Sequence, residues 1–197
     1  MDDSEEALTS LQTIVQEYYP QVLTAHMGEM RRSKLGLLAW SAEAEEGLWQ
    51  PLFALLQKSE LDYTIFWRQL SHITAAEAAS VVEAAAKGGA ADGPEVLAAT
   101  EPMLTKLLPS FFDEPRAARE GWQLWLALYA KRLASDGRSD AERQAEMRLA
   151  SPKYIPREWM LAEAYTKAEA GDFSAVHQLA EVFSRPYDEH EGEVEAK

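Results

Sequence analysis

A stripe of large apolar side chains at helical spacing is the feature that most constrains the fold of this chain. The stripe consists of four residues, each three or four positions after the last: Trp122, Trp125, Tyr129 and Leu133. In an α-helix such residues share one face, whereas a strand would place alternate residues on one face. The pattern predicts a long helix over about residues 115–135, buried along this face.

Helix signals recur along the chain, while strand signals are almost absent. Capping residues, glycines and prolines separate further helices, which we predict at about residues 8–34, 44–59, 62–70, 74–88, 140–150, 157–170 and 173–183. Pro20 is expected either to kink the first of these helices or to start a second one that runs to about Lys34, because proline lacks the backbone donor that a helix interior requires. We therefore predict an all-α fold built as a multi-helix array.

Composition divides the chain into four segments. Residues 1–87 form an N-terminal helical segment, and residues 115–185 form a C-terminal one. Between them, residues 88–114 are predicted to be a variable, linker-like segment, because this stretch starts with Gly and Ala and contains Pro94, Pro102 and Pro109. Residues 186–197 are predicted to be a disordered acidic tail. No internal repeat is evident.

The charge and the absence of cysteine exclude several classes of function. The formal net charge is −14, so phosphate backbones and anionic lipid headgroups would be repelled, and we expect no nucleic-acid partner and no membrane association. The basic cluster Arg31, Arg32 and Lys34 is too small to reverse this. With no cysteine, thiol catalysis, thiolate zinc sites and disulfides are excluded. No apolar run reaches the length of a membrane span, and the acidic N-terminus predicts no targeting segment.

Motifs that handle phosphate or activate a nucleophile are missing from the sequence. Gly88-Gly89 lacks the following lysine and the preceding strand of a phosphate-binding loop. Asp136-Gly137-Arg138 is interpreted as a helix stop. There is no Gly-x-Ser-x-Gly nucleophile turn either.

Two histidine–carboxylate pairs share helix faces, but two ligands do not make a metal site. The pairs are His26 with Glu29, and His177 with Glu181; each is explained as well by a surface histidine beside an acid. His190 lies among the acids Asp188, Glu189, Glu191 and Glu193 of the predicted tail, where weak adventitious metal binding is the most we expect. We therefore assign no catalytic, cofactor-binding or metal-binding residue.

The aromatic segment Tyr63-Thr64-Ile65-Phe66-Trp67 allows two interpretations. A helix that is apolar on every side must be covered by something. The segment is either a helix buried in the core of this chain or a hydrophobic docking face for another domain.

Four blocks of the sequence, taken together, resemble one protein family. The first block is Met30-Arg31-Arg32-Ser33-Lys34-Leu35-Gly36-Leu37, and the second runs from Asp62 to Leu70. The third comprises Met147, Ser151-Pro152-Lys153-Tyr154-Ile155 and Arg157, with Ser151 where the family usually has Asn. The fourth comprises Gly171-Asp172-Phe173-Ser174, Val176, Leu179 and Arg185-Pro186-Tyr187-Asp188-Glu189. The four blocks together resemble the C-terminal part of the selenoprotein O family, the kinase-like protein adenylyltransferases. Their order and rough spacing agree with that family over about residues 11–189, and the likeness is weak between about 74 and 121.

The resemblance implies the helical end of a protein-kinase-like fold. It also implies a parent activity, the transfer of AMP from ATP to protein Ser, Thr or Tyr hydroxyls with a divalent metal such as Mg²⁺. The nucleotide- and metal-binding residues of the family lie upstream of the matched region, and its C-terminal Cys or selenocysteine tail has no counterpart here. The resemblance therefore favours a fragment, a split gene product or a truncated gene model, whose partners would be the missing kinase-like core and the protein substrates of the parent. The compartment would be mitochondrial for a eukaryotic parent and cytoplasmic for a bacterial one.

Three hypotheses follow. The first is a non-catalytic C-terminal helical portion of such an adenylyltransferase, inactive by itself and without its own ATP or Mg²⁺. The second is a free-standing helical protein-interaction module, suggested also by the hairpin expected at Gly171-Asp172-Phe173. The third, a small metalloenzyme, is the least supported by the residues.

Overall fold

The computed structural model describes residues 3–88, 90 and 92–190, and over these ranges the protein is all-α, as the sequence predicts. Its helices are α1 (Asp3–Thr13), α2 (Tyr19–Leu35), α3 (Ala42–Ala44), α4 (Gln50–Lys58), α5 (Tyr63–Leu70), α6 (Ala75–Gly88), α7 (Pro94–Ala99), α8 (Glu101–Leu107), α9 (Arg119–Asp136), α10 (Asp140–Leu149), α11 (Glu158–Glu169) and α12 (Ser174–Ser184). π-helical turns at Ile14–Tyr18 and Glu45–Trp49 connect α1 to α2 and α3 to α4. Short 3₁₀ turns lie at Leu108–Ser110 and Arg116–Ala118.

Extended structure is limited to one isolated antiparallel bridge between Leu61 and Phe111 in the part of the chain that is described. None of the helices in these ranges combines the length and the apolarity that crossing a bilayer requires.

Side-chain caps fix the start of two central helices. Thr74 and Glu77 form a capping box, in which the Glu77 N–H donates to Thr74 Oγ1 at 3.2 Å and the Thr74 N–H donates to Glu77 Oε2 at 2.8 Å. Asp62 Oδ1 accepts from the N–H groups of Thr64 and Ile65, at 3.0 and 2.9 Å, and so begins α5. Each such cap satisfies backbone donors that the helix itself cannot, a contribution of about 1 kcal/mol.

Helix α9 is the centre of the core, and its predicted stripe is confirmed. Trp122, Trp125, Tyr129 and Leu133 are all buried. The polar atom of each aromatic member reaches a different segment: Trp122 Nε1 donates to Ser59 Oγ at 3.0 Å, Trp125 Nε1 to the Leu48 carbonyl at 3.0 Å, and the Tyr129 hydroxyl to the Leu35 carbonyl at 2.9 Å. A single helix therefore both fills the core and orients α2 and α4 around itself.

Gly36 ends α2 and allows α10 to pack against it. Its φ of +66° is a left-handed conformation that side chains with a Cβ rarely adopt. A Cβ at this position would lie only 2.6 Å from Met147 Sδ and 2.8 Å from Arg143 Cγ. The Lys34-Leu35-Gly36 sequence therefore does two things at once, because it stops a helix and admits the side chains of another.

The prediction of a linker-like segment over residues 88–114 needs correction. The residues predicted to be linker-like include α7 and α8, whose Val96, Met103, Leu104 and Leu107 are buried in the core. The prolines misled the prediction, because Pro94 and Pro102 occupy the first turn of their helices, where the missing N–H costs nothing. The boundaries between the predicted segments otherwise stay predictions.

Helix α1, the π-helical turn at Ile14–Tyr18 and the first part of α2 follow one another without a break, and we call them together the N-terminal helix. This helix packs little against the core. Pro20 lies in the first turn of α2, directly after the π-helical turn, and the backbone is helical on both sides of that turn. Between Glu6 and His26 no described residue is buried, whereas the C-terminal end of α2 enters the core at Leu35.

Candidate functional site

The four sequence blocks that resemble one family meet at one place in the structure. Lys34 Nζ, from the first block, donates to Ser151 Oγ in the third block at 3.2 Å. Arg68, from the second block, donates to the Ser151 carbonyl at 3.2 Å and forms an ion pair with Glu189 of the fourth block. We call this set of Lys34, Arg68, Ser151 and Glu189 the block junction.

Arg68 is the hub of the block junction. It lies on α5, is only 8% exposed, and reaches three backbone carbonyls besides Glu189. These carbonyls belong to Arg148, Ser151 and Tyr187, at 3.3, 3.2 and 3.5 Å. A planar guanidinium suits this role, because its fixed fork of donors can hold several acceptors in one geometry. Arg68 thus connects α5, the end of α10 and the segment after α12.

Asp62 and Arg157 join the second and third blocks a short distance away. Arg157 Nη1 lies 2.5 Å from Asp62 Oδ2, and the same carboxylate caps α5 through its other oxygen. Burial by itself would raise the pKa of Asp62, but Arg157 and the N–H groups of Ile65 and Thr64 outweigh it, and the pKa lies below its ordinary value. The carboxylate is therefore held ionised by the charge and donors around it.

The segment after α12 is anchored on the third block. The backbone N–H groups of Lys153 and Tyr154 both donate to the Pro186 carbonyl, at 2.8 and 3.2 Å. Lys153 Nζ donates to the Glu189 carbonyl at 2.7 Å and lies 3.0 Å from its carboxylate. The prediction of a disordered tail from residue 186 is therefore wrong for residues 186–190, because backbone pairing and an ion pair hold them in place. The remaining predicted tail, 191–197, lies outside the described residues.

A cleft of about 650 Å³ opens beside the block junction. It is lined by apolar and charged side chains from the second, third and fourth blocks and from neighbouring segments: Asp62, Ile65, Arg68, Gln69, His72, Pro109, Phe112, Lys153, Tyr154, Ile155, Arg157, Trp159, Met160 and Glu189. Its charged groups pair with one another, Asp62 with Arg157 and Glu189 with both Arg68 and Lys153.

The pKa values of the groups that line the cleft favour a structural role for them over general acid–base catalysis. Burial by itself would raise the pKa of Glu189, yet Lys153 and Arg68 lower it below its usual value. A carboxylate stabilised in this way is a weak proton acceptor near neutral pH. His72 also lines the cleft; burial first, then the charge of Arg148, lower its pKa, so the ring is neutral near pH 7. Sequence analysis did not single out His72, since no motif surrounds it.

The predicted histidine–carboxylate pairs do not develop into metal sites in the described structure. Glu29 pairs with Arg32 at 2.7 Å, and Glu181 lies 3.3 Å from Arg185. His190 Nε2 lies 2.9 Å from the Arg185 carbonyl, and its ring contacts Tyr154 edge-on. Glu191 and Glu193 lie outside the described residues. Among the residues that are placed, no three His, Asp or Glu side chains come together as a metal site would require.

The basic cluster Arg31, Arg32 and Lys34 makes its contacts with other residues of this chain. Arg31 lies 2.5 Å from Glu45, and Arg32 lies 2.5 Å from Glu146 of α10. Lys34 is mostly buried beside Trp67, with its ammonium 5.1 Å from the centre of the indole ring, and burial lowers its pKa. The cluster therefore fastens α2 to α10 and α5.

The remaining sequence motifs have structural roles. Gly137 has a φ of +67° and ends α9, which confirms the helix stop; of the Gly88-Gly89 pair, Gly88 ends α6 and Gly89 lies outside the described residues. In the aromatic segment Phe66 and Trp67 are buried, so the core interpretation is correct for them, while Tyr63 is 49% exposed.

Comparison with known proteins decides the family. The family model described as "Protein adenylyltransferase SelO" matches residues 4–184. The chain belongs to the SelO family. Among curated relatives, the "Protein nucleotidyltransferase YdiU" of Myxococcus xanthus is 36% identical over 172 residues, which are 87% of this chain and 29% of that relative. The proteins of the same name from Aeromonas salmonicida and Vibrio vulnificus are 34% and 32% identical, over 87% and 90% of this chain and 30% and 31% of their own lengths.

The SelO relatives are thus much longer than the region compared. The chain spans about 30% of the length of the curated relatives it matches. The family resemblance inferred from the four blocks is confirmed, and the blocks form one continuous structural unit at the block junction.

Proposed function

We propose that this chain is the non-catalytic, C-terminal helical portion of a SelO-type protein adenylyltransferase. The parent would transfer AMP from ATP to Ser, Thr or Tyr hydroxyls of protein substrates, and its kinase-like core would carry the chemistry. One observation carries the proposal: the family blocks meet at a junction in which Arg68 is ion-paired with Glu189 and Lys34 donates to Ser151, in a chain that matches the SelO family over residues 4–184.

The described residues do not fit a complex of ATP with Mg²⁺. A triphosphate needs cationic side chains free to contact its oxygens, and Mg²⁺ needs carboxylate or amide ligands grouped around it. Beside the cleft, Arg68 and Lys153 both contact the Glu189 carboxylate and Arg157 contacts that of Asp62, so these cations are already held by side chains of this chain. Lys34 is mostly buried against aromatic rings. These residues support a role in holding the fold together, with the nucleotide bound by another part of the parent.

The alternative is a free-standing helical protein-interaction module. In its favour, the core around α9 is continuous and buries several large aromatic residues. Against it, the N-terminal helix carries large apolar side chains that touch little of the rest of the described chain. Stable, separately acting modules rarely leave such a surface uncovered.

Calorimetric titration of the 197-residue protein with ATP and Mg²⁺ tests the proposal. We expect no binding heat, whereas the intact Myxococcus xanthus relative, titrated in parallel, serves as the positive control. Magnesium-dependent, stoichiometric ATP binding by the 197-residue protein would overturn the proposal. If binding were seen, the Arg68→Met variant would show whether the block junction is the nucleotide site, with Arg116→Met as the matched surface control.

A further inference from the structure

One face of the N-terminal helix is apolar and uncovered. The stripe, which we call the N-terminal stripe, consists of eight large side chains that are each between 44% and 62% exposed: Leu8, Leu11, Ile14, Val15, Tyr18, Tyr19, Val22 and Leu23. These residues lie between the helix start and the point where α2 enters the core. A contiguous apolar surface of this kind marks an interaction site.

The backbone of the helix keeps the stripe on one face. Leu11, Val15, Tyr19 and Leu23 are spaced four apart, and in a regular α-helix such a row drifts sideways, because one turn takes only 3.6 residues. The π-helical turn at Ile14–Tyr18 is wider and lies in the middle of this row. It therefore reduces the drift between α1 and α2, so that both halves present their apolar residues to the same side.

The charge of the helix restricts its partner. Residues 1–23, which contain the whole N-terminal stripe, include Asp2, Asp3, Glu5, Glu6 and Glu17 but no Lys or Arg. A second copy of this chain would bring an identical acidic helix and a further net charge of −14, which opposes pairing. The surface that complements the stripe is an apolar groove with a basic rim.

We propose that the N-terminal stripe docks into an apolar, basic-rimmed groove on the catalytic part of the parent polypeptide. This inference rests on the proposed function, and it adds the surface through which the two parts are joined. About 70% of each curated relative has no counterpart in this chain, which leaves ample polypeptide to supply such a groove. The docked helix would lead directly into the block junction, because Lys34 follows it on α2.

Cysteine accessibility tests the proposal, since the chain has no cysteine of its own. Val15→Cys places a thiol on the stripe, and Gln16→Cys, the next residue in the same π-helical turn, directs its thiol away from the stripe as the matched control. Each variant is made in the 197-residue protein and in a chimera, in which the matched region of this chain replaces its counterpart in the intact Myxococcus xanthus relative. Maleimide labelling of each site is followed by peptide mass spectrometry.

We expect both sites to be labelled at similar rates in the 197-residue protein. In the chimera, labelling of Val15→Cys should slow by about tenfold or more, while Gln16→Cys stays within a few-fold of its rate. Equal, rapid labelling of both sites in the chimera would overturn the inference. Protection of Val15→Cys in the 197-residue protein that is lost on dilution would also overturn it, because the occupant would then be a second copy.

A second measurement keeps the inference testable if the chimera does not fold. Amide hydrogen exchange is compared between residues 8–23 of the 197-residue protein and the aligned helix of the intact relative. Slow exchange in the relative and fast exchange here support docking, and fast exchange in both contradicts it. The ATP titration is independent of these results, so an unprotected stripe in a chain that binds no ATP overturns the docking inference alone.

Discussion

The guanidinium of Arg68 and the carboxylate of Glu189 form an ion pair across 121 positions of sequence. Arg68 is buried on a central helix, and Glu189 lies beyond the last one. The pair therefore closes the chain on itself, and Lys34 and Ser151 extend the connection to the first and third blocks. The four family blocks thus join helices that are far apart in the sequence.

Replacing Arg68 of the block junction should destabilise the fold. Arg68→Met leaves Glu189 with Lys153 as its remaining cationic partner and takes a donor from the carbonyls of Arg148, Ser151 and Tyr187, which we expect to cost about 1–3 kcal/mol in the free energy of unfolding. Urea denaturation measures the change. The control is Arg116→Met, which removes an exposed pair with Glu114 and should cost less than about 1 kcal/mol. Equal effects of the two variants would contradict the role assigned to Arg68.

Gly36 and Gly137 share a conformation but differ in their surroundings. Both have positive φ, yet a Cβ at Gly36 would collide with Met147 and Arg143, while nothing lies within 4 Å of the Cβ position at Gly137. Gly137→Ala should cost about 1 kcal/mol from backbone strain alone. Gly36→Ala should cost about 1–3 kcal/mol more, because side chains of α10 must move. Thermal unfolding distinguishes the two, and a smaller loss for Gly36→Ala would show that the helices separate easily.

Asp62 should make stability depend on pH in the acid range. Its pKa is below the ordinary 3.8 in the folded state, so its stabilising effect is complete above about 3.8 and is lost as the pH falls through the folded value. Asp62→Asn keeps an oxygen to cap α5 but loses the attraction to Arg157. We expect it to cost about 1 kcal/mol at pH 7 and to reduce the acid-dependent loss of stability. Asp62→Ala should cost about 1 kcal/mol more, since the cap is also lost. An unchanged pH profile in Asp62→Asn would contradict the assignment.

The N-terminal stripe should contribute little to the stability of the 197-residue protein. Val15 is 57% exposed, whereas Leu52 of α4 is fully buried. Val15→Ala should therefore change the free energy of unfolding by less than about 0.5 kcal/mol. Leu52→Ala, which leaves a cavity, should lower it by about 2–5 kcal/mol. A large loss for Val15→Ala, measured by urea denaturation, would show that the stripe is already covered within this chain.

Residue spacing and capping residues predicted most of the helices. They could not predict contacts between residues far apart in the sequence. The stripe on α9 and the stop at Gly137 depend on residues close together in the sequence, so spacing alone revealed them. Pro94 and Pro102 were misread as linker residues because a proline in the first turn and a proline in a loop look alike without tertiary contacts.

The residues of the candidate site were recognised only as parts of the four family blocks, and no site was predicted from them. The four blocks could be recognised, but no spacing rule places Arg68 beside Glu189 or Gly36 beside Met147, because packing decides both contacts. The ordering of residues 186–190 was missed for the same reason, as composition cannot show that Lys153 pairs with Glu189.

The proposed non-catalytic role of this chain is tested most directly by measuring AMP transfer by the 197-residue protein itself. The protein is incubated with ATP, Mg²⁺ and a mixture of acceptor proteins, and AMP adducts are measured by mass spectrometry, with the intact Myxococcus xanthus relative as the positive control. We expect adducts with the relative and none above background with this protein. Adducts formed by the 197-residue protein, with no other catalyst present, would contradict the proposed role.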